Sequence, residues 1–316
     1  MTTAPLYPFS LPILLLQVHP HLVVAGALVG LLVGLTGMGG GALMTPMLVL
    51  LFGVTPSSAV TSDLVAALVM KPAAVLVHWR QGTIHGPLVR YLSYGSIPAA
   101  FAGTLALRLM GHSPLAERRL EVALGAALLV GGVAMAVRSV RRRARGAEGR
   151  PLARPALTVA VGVLGGFMVG LTSVGAGSLI LVLVLVLYPG LRNDQLVGTD
   201  LAQSVPLTLS ATLGTVLFNH VDLAVTGSIV LGSVPAVVAG SLLSSRADGP
   251  WLRRLIAAVV VLSGLKYLGL ATVALGVVAG LEAVVLLAAT LLARRSVAEP
   301  VEDLGAALPA RLDAHP

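Results

Sequence analysis

The sequence predicts an all-α polytopic membrane protein made of two homologous, inverted repeats. Each repeat is a Gly-broken re-entrant helical hairpin followed by three transmembrane helices, and one extra helix follows at the C-terminal end. Three observations carry this reading. First, the 316-residue chain is 56% hydrophobic and only 11% charged, with a mean hydropathy of +0.95. A soluble domain cannot cover that much apolar surface with so few charges, and several runs exceed the roughly 20 residues that span hydrocarbon. Second, one Gly-rich break occurs twice, as GLLVGLTGMGGGAL (Gly30 to Leu43) and GFMVGLTSVGAGSL (Gly166 to Leu179). Third, the arginines gather at helix ends and in one loop, the positive-inside pattern of a membrane protein.

Taken in order, the first broken segment covers residues 21–52, with its gap at Thr36–Gly41. Continuous helices follow at 57–78, 87–109 and 118–137. The most polar stretch, RSVRRRARGAEGRPLARP from Arg138 to Pro155, holds seven Arg and one Glu and links the halves. The second broken segment covers 156–188, with helices at 195–218, 223–244 and 251–269. A last helix at 272–293 ends in Arg294-Arg295, and the polar tail from Ser296 to Pro316 reads as disordered. The units are thus a membrane repeat at 1–137, a cytoplasmic linker at 138–155, a second repeat at 156–270, the extra helix at 271–295 and the tail at 296–316. The N-terminal stretch lacks a basic n-region and a small-residue cleavage site, so no signal peptide is expected.

The duplication reaches beyond the breaks. Gly34, Thr36, Gly39 and Gly41 align with Gly170, Thr172, Gly175 and Gly177 at an offset of 136. TSDL (Thr61–Leu64) matches GTDL (Gly198–Leu201) at 137, and GSIPAAFAGT (Gly95–Thr104) matches GSVPAVVAGS (Gly232–Ser241) at the same offset. RRL recurs at 118–120 and 253–255. The final helix has no counterpart. Parity then sets the symmetry. Segments that cross fully give parallel halves; segments that dip and return give inverted ones. With the Arg-rich linker cytoplasmic, the inverted arrangement places Arg246, Arg253, Arg254, Arg294 and Arg295 inside and leaves mainly Arg108, Arg118 and Arg119 misplaced. The arms, too short to span, also favour dipping.

The breaks are candidate binding elements. Gly37, Gly39, Gly40 and Gly41 let the backbone leave helical geometry, which is tolerated at membrane depth only inside protein or beside a water-filled cavity. The short helices starting near Gly41 and Gly177 aim free N–H groups and a positive dipole end inward, an anion site. Thr36, Thr172, Ser173 and Ser178 add hydroxyls. The competing reading is that these glycines merely allow close packing, but matched breaks in two repeats point to a transporter site. In the following helix Asp200, Ser204, Thr208, Thr212 and Thr215 share one face, flanked by Gln203. The first half presents Asp63, Ala67, Lys71 and His78 there, with Lys71 aligned to Thr208 and a kink expected at Pro72.

Lys71 is a lone cation in an apolar segment, costly there and a functional candidate. It pairs either with an anionic substrate or with Asp63 or Asp200. The aspartates either cap their helices or brace the hairpins, or couple transport to protons or another ion, with His78 a possible relay. Asn219, His220 and Asp222 read as a solvated loop, and Glu282 has no assigned role. With no cysteine and few, scattered histidines, thiol chemistry, metal and haem sites find no support, and no catalytic or nucleotide motif is visible. Neither an enzyme, a cofactor nor a nucleic-acid partner is expected.

The paired GLTGMGGG and GLTSVGAG segments, each followed by an (S/T)D-containing helix, and the repeated GS(I/V)PAxxAG resemble the TauE/SafE family, also called the sulfite exporter or TSUP family. The resemblance covers residues 20–270. It implies movement of small sulfur-containing anions such as sulfite, sulfoacetate or other organosulfonates. It points to Gly37, Gly39, Gly41, Ser62, Asp63, Gly175, Gly177, Thr199 and Asp200. Gly37 stands in the first copy where the second has Ser173. The expected activity is secondary transport by alternating access, coupled to protons, in a multi-pass inner-membrane protein, with a homodimer possible. The alternatives are a passive anion channel of the same architecture and a carrier for a different small organic anion.

Overall fold

The computed structural model describes residues 18–36, 40–111, 113–141, 154–174, 179–188, 190–191, 193–247 and 250–271. Gly37, Gly39, Gly175, Gly177 and Ser178, most of the Arg-rich linker, the expected helix 272–293 with Glu282, and the tail lie outside these residues. So does the side chain of Thr36. Among the described residues the structure is entirely helical. Its elements are α1 (Pro20–Thr36), α2 (Gly41–Phe52), α3 (Pro56–Arg80), α4 (Gly86–Met110), α5 (Pro114–Arg141), α6 (Pro155–Thr172), α7 (Leu179–Leu187), α8 (Asn193–Phe218), α9 (Leu223–Ala247) and α10 (Pro250–Tyr267).

Local chemistry explains these bounds. Pro56, Pro114, Pro155 and Pro250 open helices at the position where a missing N–H costs nothing. Gly53 takes a left-handed conformation (φ 65°) to end α2, its N–H bonded to the Leu48 carbonyl. Asp222 Oδ1 accepts from the N–H groups of Ala224 and Val225, capping α9. The loop that the sequence presented as merely solvated therefore has a structural role. The helix expected to kink at Pro72 continues through it, with Pro72 inside α3.

By length and apolarity α3, α6, α8 and α9 can cross a membrane. The outward face is correspondingly apolar: Leu51, Trp79, Leu109 and Leu242 are each more than 70% exposed. Side chains of this kind are stable facing lipid rather than water. The protein is a helical, multi-pass membrane protein.

Glycines set how the helices meet. A Cβ on Gly26 or Gly30 of α1 would strike the carbonyls of Ile229 and Ser233 in α9, and one on Gly232 or Gly240 would strike Val23 and Leu31 in α1. Backbone therefore lies on backbone, the small-residue packing typical of membrane helices. The same relation joins α4 and α6, through Gly95 against Val159, Gly103 against Phe167, and Gly162 and Gly166 against Leu92 and Ser96. In both pairs residue numbers rise together along the contact, so the helices run parallel. Helices α3 and α8 run antiparallel. Thr61 Oγ1 donates to the His220 carbonyl at 3.4 Å, Lys71 meets Thr208, and Gly198 faces Thr83. Antiparallel α5 and α10 meet at Gly125 and Gly264.

Candidate functional site

The α3–α8 crossing holds the buried polar centre of the protein. Among the described residues Asp63, Lys71 and Asp200 are the only charged side chains that are buried. Charges in such a setting are costly unless they are paired or hydrogen-bonded, so their partners matter.

Lys71 Nζ donates to Thr208 Oγ1 at 2.7 Å. The ammonium thus rests on the hydroxyl of the residue with which the sequence aligned it. One of its three N–H groups is used in this bond, leaving donors for another partner. Both carboxylates act on the ammonium electrostatically. Asp63 precedes Lys71 by eight residues on α3, and Asp200 precedes Thr208 by eight on α8. Each carboxylate therefore lies about 12 Å along its helix from the Lys71–Thr208 contact. Because α3 and α8 are antiparallel, the two lie on opposite sides of it.

Asp63 does not cap its helix. Helix α3 starts at Pro56, two turns earlier, and α8 starts at Asn193, equally far before Asp200; the capping alternative is overturned for both. The spans read from the sequence, starting at 57 and 195, also leave both aspartates beyond the first turn. What Asp63 does instead is brace other elements. Its Oδ2 accepts from Thr45 Oγ1 of α2 at 3.0 Å and from Ser173 Oγ in the second break. Its Oδ1 is buried with no hydrogen-bond partner. Asp200 has a different setting, with Gln203 Nε2 reaching its Oδ1 at 3.5 Å and Ser96 Oγ donating to Gln203 Oε1.

The breaks also meet. A Cβ on Gly41, the first residue of α2, would collide with the Ser173 carbonyl. Only glycine lets the two backbones come so close. Gly40, in ordinary helical geometry, has room for a methyl group against Met70 and Val33. Ser173 holds a left-handed φ of 60°, with its N–H on the Val169 carbonyl. That conformation is costly for a residue with a Cβ and is concentrated at functional sites.

Other expected hydroxyls serve the backbone. Thr172 Oγ1 donates to Met168 O and accepts from the Val174 N–H. Ser204 Oγ donates to Leu201 O, and Thr208 Oγ1 donates to Ser204 O. Ser62 Oγ accepts from Thr226 Oγ1 at 3.0 Å, and Thr199 Oγ1 accepts from the His85 N–H at 3.0 Å. His78 sits at the far end of α3 and shares a hydrogen bond with Thr83 at 2.9 Å, away from the charged centre. Thr45 and Ser96 are site residues that the sequence reading missed. Thr45 was detectable as a hydroxyl in an apolar arm whose counterpart, Leu181, has none.

Comparison with known proteins follows from this geometry. The family described as Sulfite exporter TauE/SafE matches residues 22–267, the span containing both breaks and the charged centre. A probable membrane transporter protein, YjnA of Bacillus subtilis (strain 168), is 39% identical over 253 residues, 78% of this chain and 98% of that protein. Probable membrane transporter proteins from two Xylella fastidiosa strains, Temecula1 and 9a5c, are each 26% identical over 224 residues, 70% of this chain and 83% of theirs. No solved structure matches the chain. The helical membrane architecture, the family match and the relatives agree: this chain belongs to the TauE/SafE sulfite exporter family of membrane transporters.

Proposed function

We propose that the protein is a secondary transporter for a small sulfur-containing anion, such as sulfite, sulfoacetate or another organosulfonate, working by alternating access and coupled to protons. The observation that carries this reading is Lys71. It is a buried ammonium at the α3–α8 crossing, bonded to the Thr208 hydroxyl. A buried cation of this kind is costly and marks a candidate anion site. Its remaining N–H donors suit the oxygens of a sulfite or sulfonate.

Several observations support inverted halves. Helix α1 runs with α9, α9 returns from α8 through a short turn, and α8 opposes α3. Hence α1 and α3 point the same way, and α2 must bring the chain back to the face where α1 began. The same reasoning applied to α6, α4 and α3 makes α7 a returning arm. Contacts also recur at the sequence offsets. Gly26 against Ile229 corresponds to Gly162 against Leu92, and Thr61 against His220 corresponds to Gly198 against Thr83. Lys71 meets its own counterpart, Thr208, as residues on a pseudo-two-fold axis do. That axis lies across the helices, in the membrane plane. On this arrangement the linker, Arg80 and Arg90 share the cytoplasmic face. The arginines left opposite are tied down: Arg108 donates to the Phe218 carbonyl, and Arg118 pairs with Glu121.

The test is counterflow in proteoliposomes loaded with unlabelled anion and supplied with labelled sulfite, sulfoacetate, isethionate or sulfate. A saturable exchange of at least one sulfur oxyanion is expected. No exchange of any of them by correctly folded protein would refute the substrate class. Currents far above carrier rates, indifferent to trans anion, would indicate a channel.

A further inference from the structure

We propose that Asp63 is the single proton site of the cycle, binding one proton for each anion that settles at Lys71. The inference rests on the anion-carrier reading and adds its stoichiometry and its residue. The buried charges are two carboxylates and one ammonium, so with every group ionised the centre already holds one net negative charge. A monoanion bound there would double it in a medium where uncompensated charge is poorly tolerated. One proton taken from solution restores the balance, so anion and proton enter the centre together and move in the same direction.

Geometry selects Asp63 over Asp200. Asp63 is fully buried, and its Oδ1 lacks any hydrogen-bond partner. Such an orphaned oxygen calls for an explanation, and a proton added to it removes the buried charge that no donor there offsets. Asp200 instead has the Gln203 amide at its Oδ1. The charged groups around Asp63 are few. On α3 these are Lys71, His78 at the far end and Arg80. On α8 there is Asp200. On α5 there are Glu117, which accepts from Ser57 at the start of α3, the Arg118–Glu121 pair and the exposed Arg119. Helices α2 and α6 carry no titratable side chain, and on α9 none is described.

The proton would also have a mechanical effect. Ionised Asp63 holds the hydroxyls of Thr45 and Ser173 by charge-assisted bonds. Neutralising it weakens both, since such bonds are roughly twice as strong as neutral ones. Ser173, in its left-handed conformation, is then less firmly held. Anion binding is thereby linked to the hold on a residue of the opposite half.

The experiment uses the full chain in liposomes with labelled methanesulfonate, which stays ionised and carries no proton of its own, and a trapped pH dye. Wild-type protein is expected to move one proton per anion, and an inside-alkaline gradient should drive accumulation. In Asp63→Asn the proton-to-anion ratio should fall to zero. Infrared difference spectra of purified wild-type protein should show a protonated carboxylic acid appearing on methanesulfonate addition, a readout independent of how the variant folds. Proton-free anion flux in wild type, or an undiminished ratio in Asp63→Asn, would overturn the proposal while leaving the carrier intact. Absence of methanesulfonate exchange without any gradient, together with failure of sulfite exchange, would overturn both.

Discussion

Helices α3 and α8 occupy corresponding places, each leaving a Gly-rich break and each bearing an aspartate eight residues into the helix. Their chemistry differs at the crossing. Helix α3 supplies the ammonium of Lys71, while α8 supplies the hydroxyl of Thr208 on which it rests. Their aspartates differ as well. Asp63 reaches hydroxyls on two other elements, whereas Asp200 has a glutamine on its own helix. On the proposed inverted-repeat arrangement the frame would be nearly symmetric, while the residues at the crossing differ between the two helices. A single cation between two carboxylates suits a carrier that binds one anion at a time.

The largest expected effect comes from removing that difference. Lys71→Met should reduce sulfur-anion counterflow to the protein-free background, while Lys71→Arg should retain part of it because the charge persists in a bulkier, planar form. Background-level loss in both variants would make geometry, and not charge alone, the requirement.

Next come the breaks. Gly41→Ala should lower stability by about 1–3 kcal/mol, the usual cost of forcing atoms into a filled space, because its methyl meets the Ser173 carbonyl. Gly40→Ala, whose methyl would meet Met70 and Val33 at ordinary contact distance, should stay within about 0.5 kcal/mol. Thermal unfolding midpoints in detergent compare the two. Equal midpoints would show that the breaks do not touch as described.

At Ser173 two variants separate strain from bonding. Both lose the hydroxyl on Asp63, but Ser173→Gly also relieves the left-handed φ. It should therefore be more stable than Ser173→Ala by about 1–2 kcal/mol. The reverse order would mean that the residue is not held left-handed. The smallest effect belongs to Thr212→Val. Its hydroxyl donates to the Leu64 carbonyl at 3.1 Å, tying α8 to α3 near Asp63. Losing it should cost about 1 kcal/mol and leave anion preference unchanged in counterflow.

Much of this was readable in the chain. The helix spans 57–78, 87–109, 195–218 and 223–244 recur in the structure with longer ends, because apolar runs bounded by Gly, Pro and Arg leave few choices. Gly41 was recognisable as the start of α2, and Lys71 as a buried cation aligned with Thr208. The starts of these two helices were placed within two residues of Pro56 and Asn193; the capping alternative for the aspartates failed because both lie beyond the first turn. Nor did the sequence reveal that α1 rests on α9 and α4 on α6. Those pairings join residues about 200 and 70 positions apart, and local pattern holds no information on them. The bond from Ser173 to Asp63 was hidden for the same reason, although both residues had been singled out.

The most direct test of the central claim exchanges the two residues that meet at the crossing. Because Lys71 Nζ reaches Thr208 Oγ1 at 2.7 Å, a lysine on α8 can reach a threonine on α3 in return, which keeps one ammonium at the crossing. Counterflow of labelled sulfite or sulfoacetate should be lost in Lys71→Thr and regained in part in the Lys71→Thr, Thr208→Lys double variant. Wild-type counterflow in Lys71→Thr would contradict the account, since the anion would then be crossing without the ammonium on which the proposed site is built.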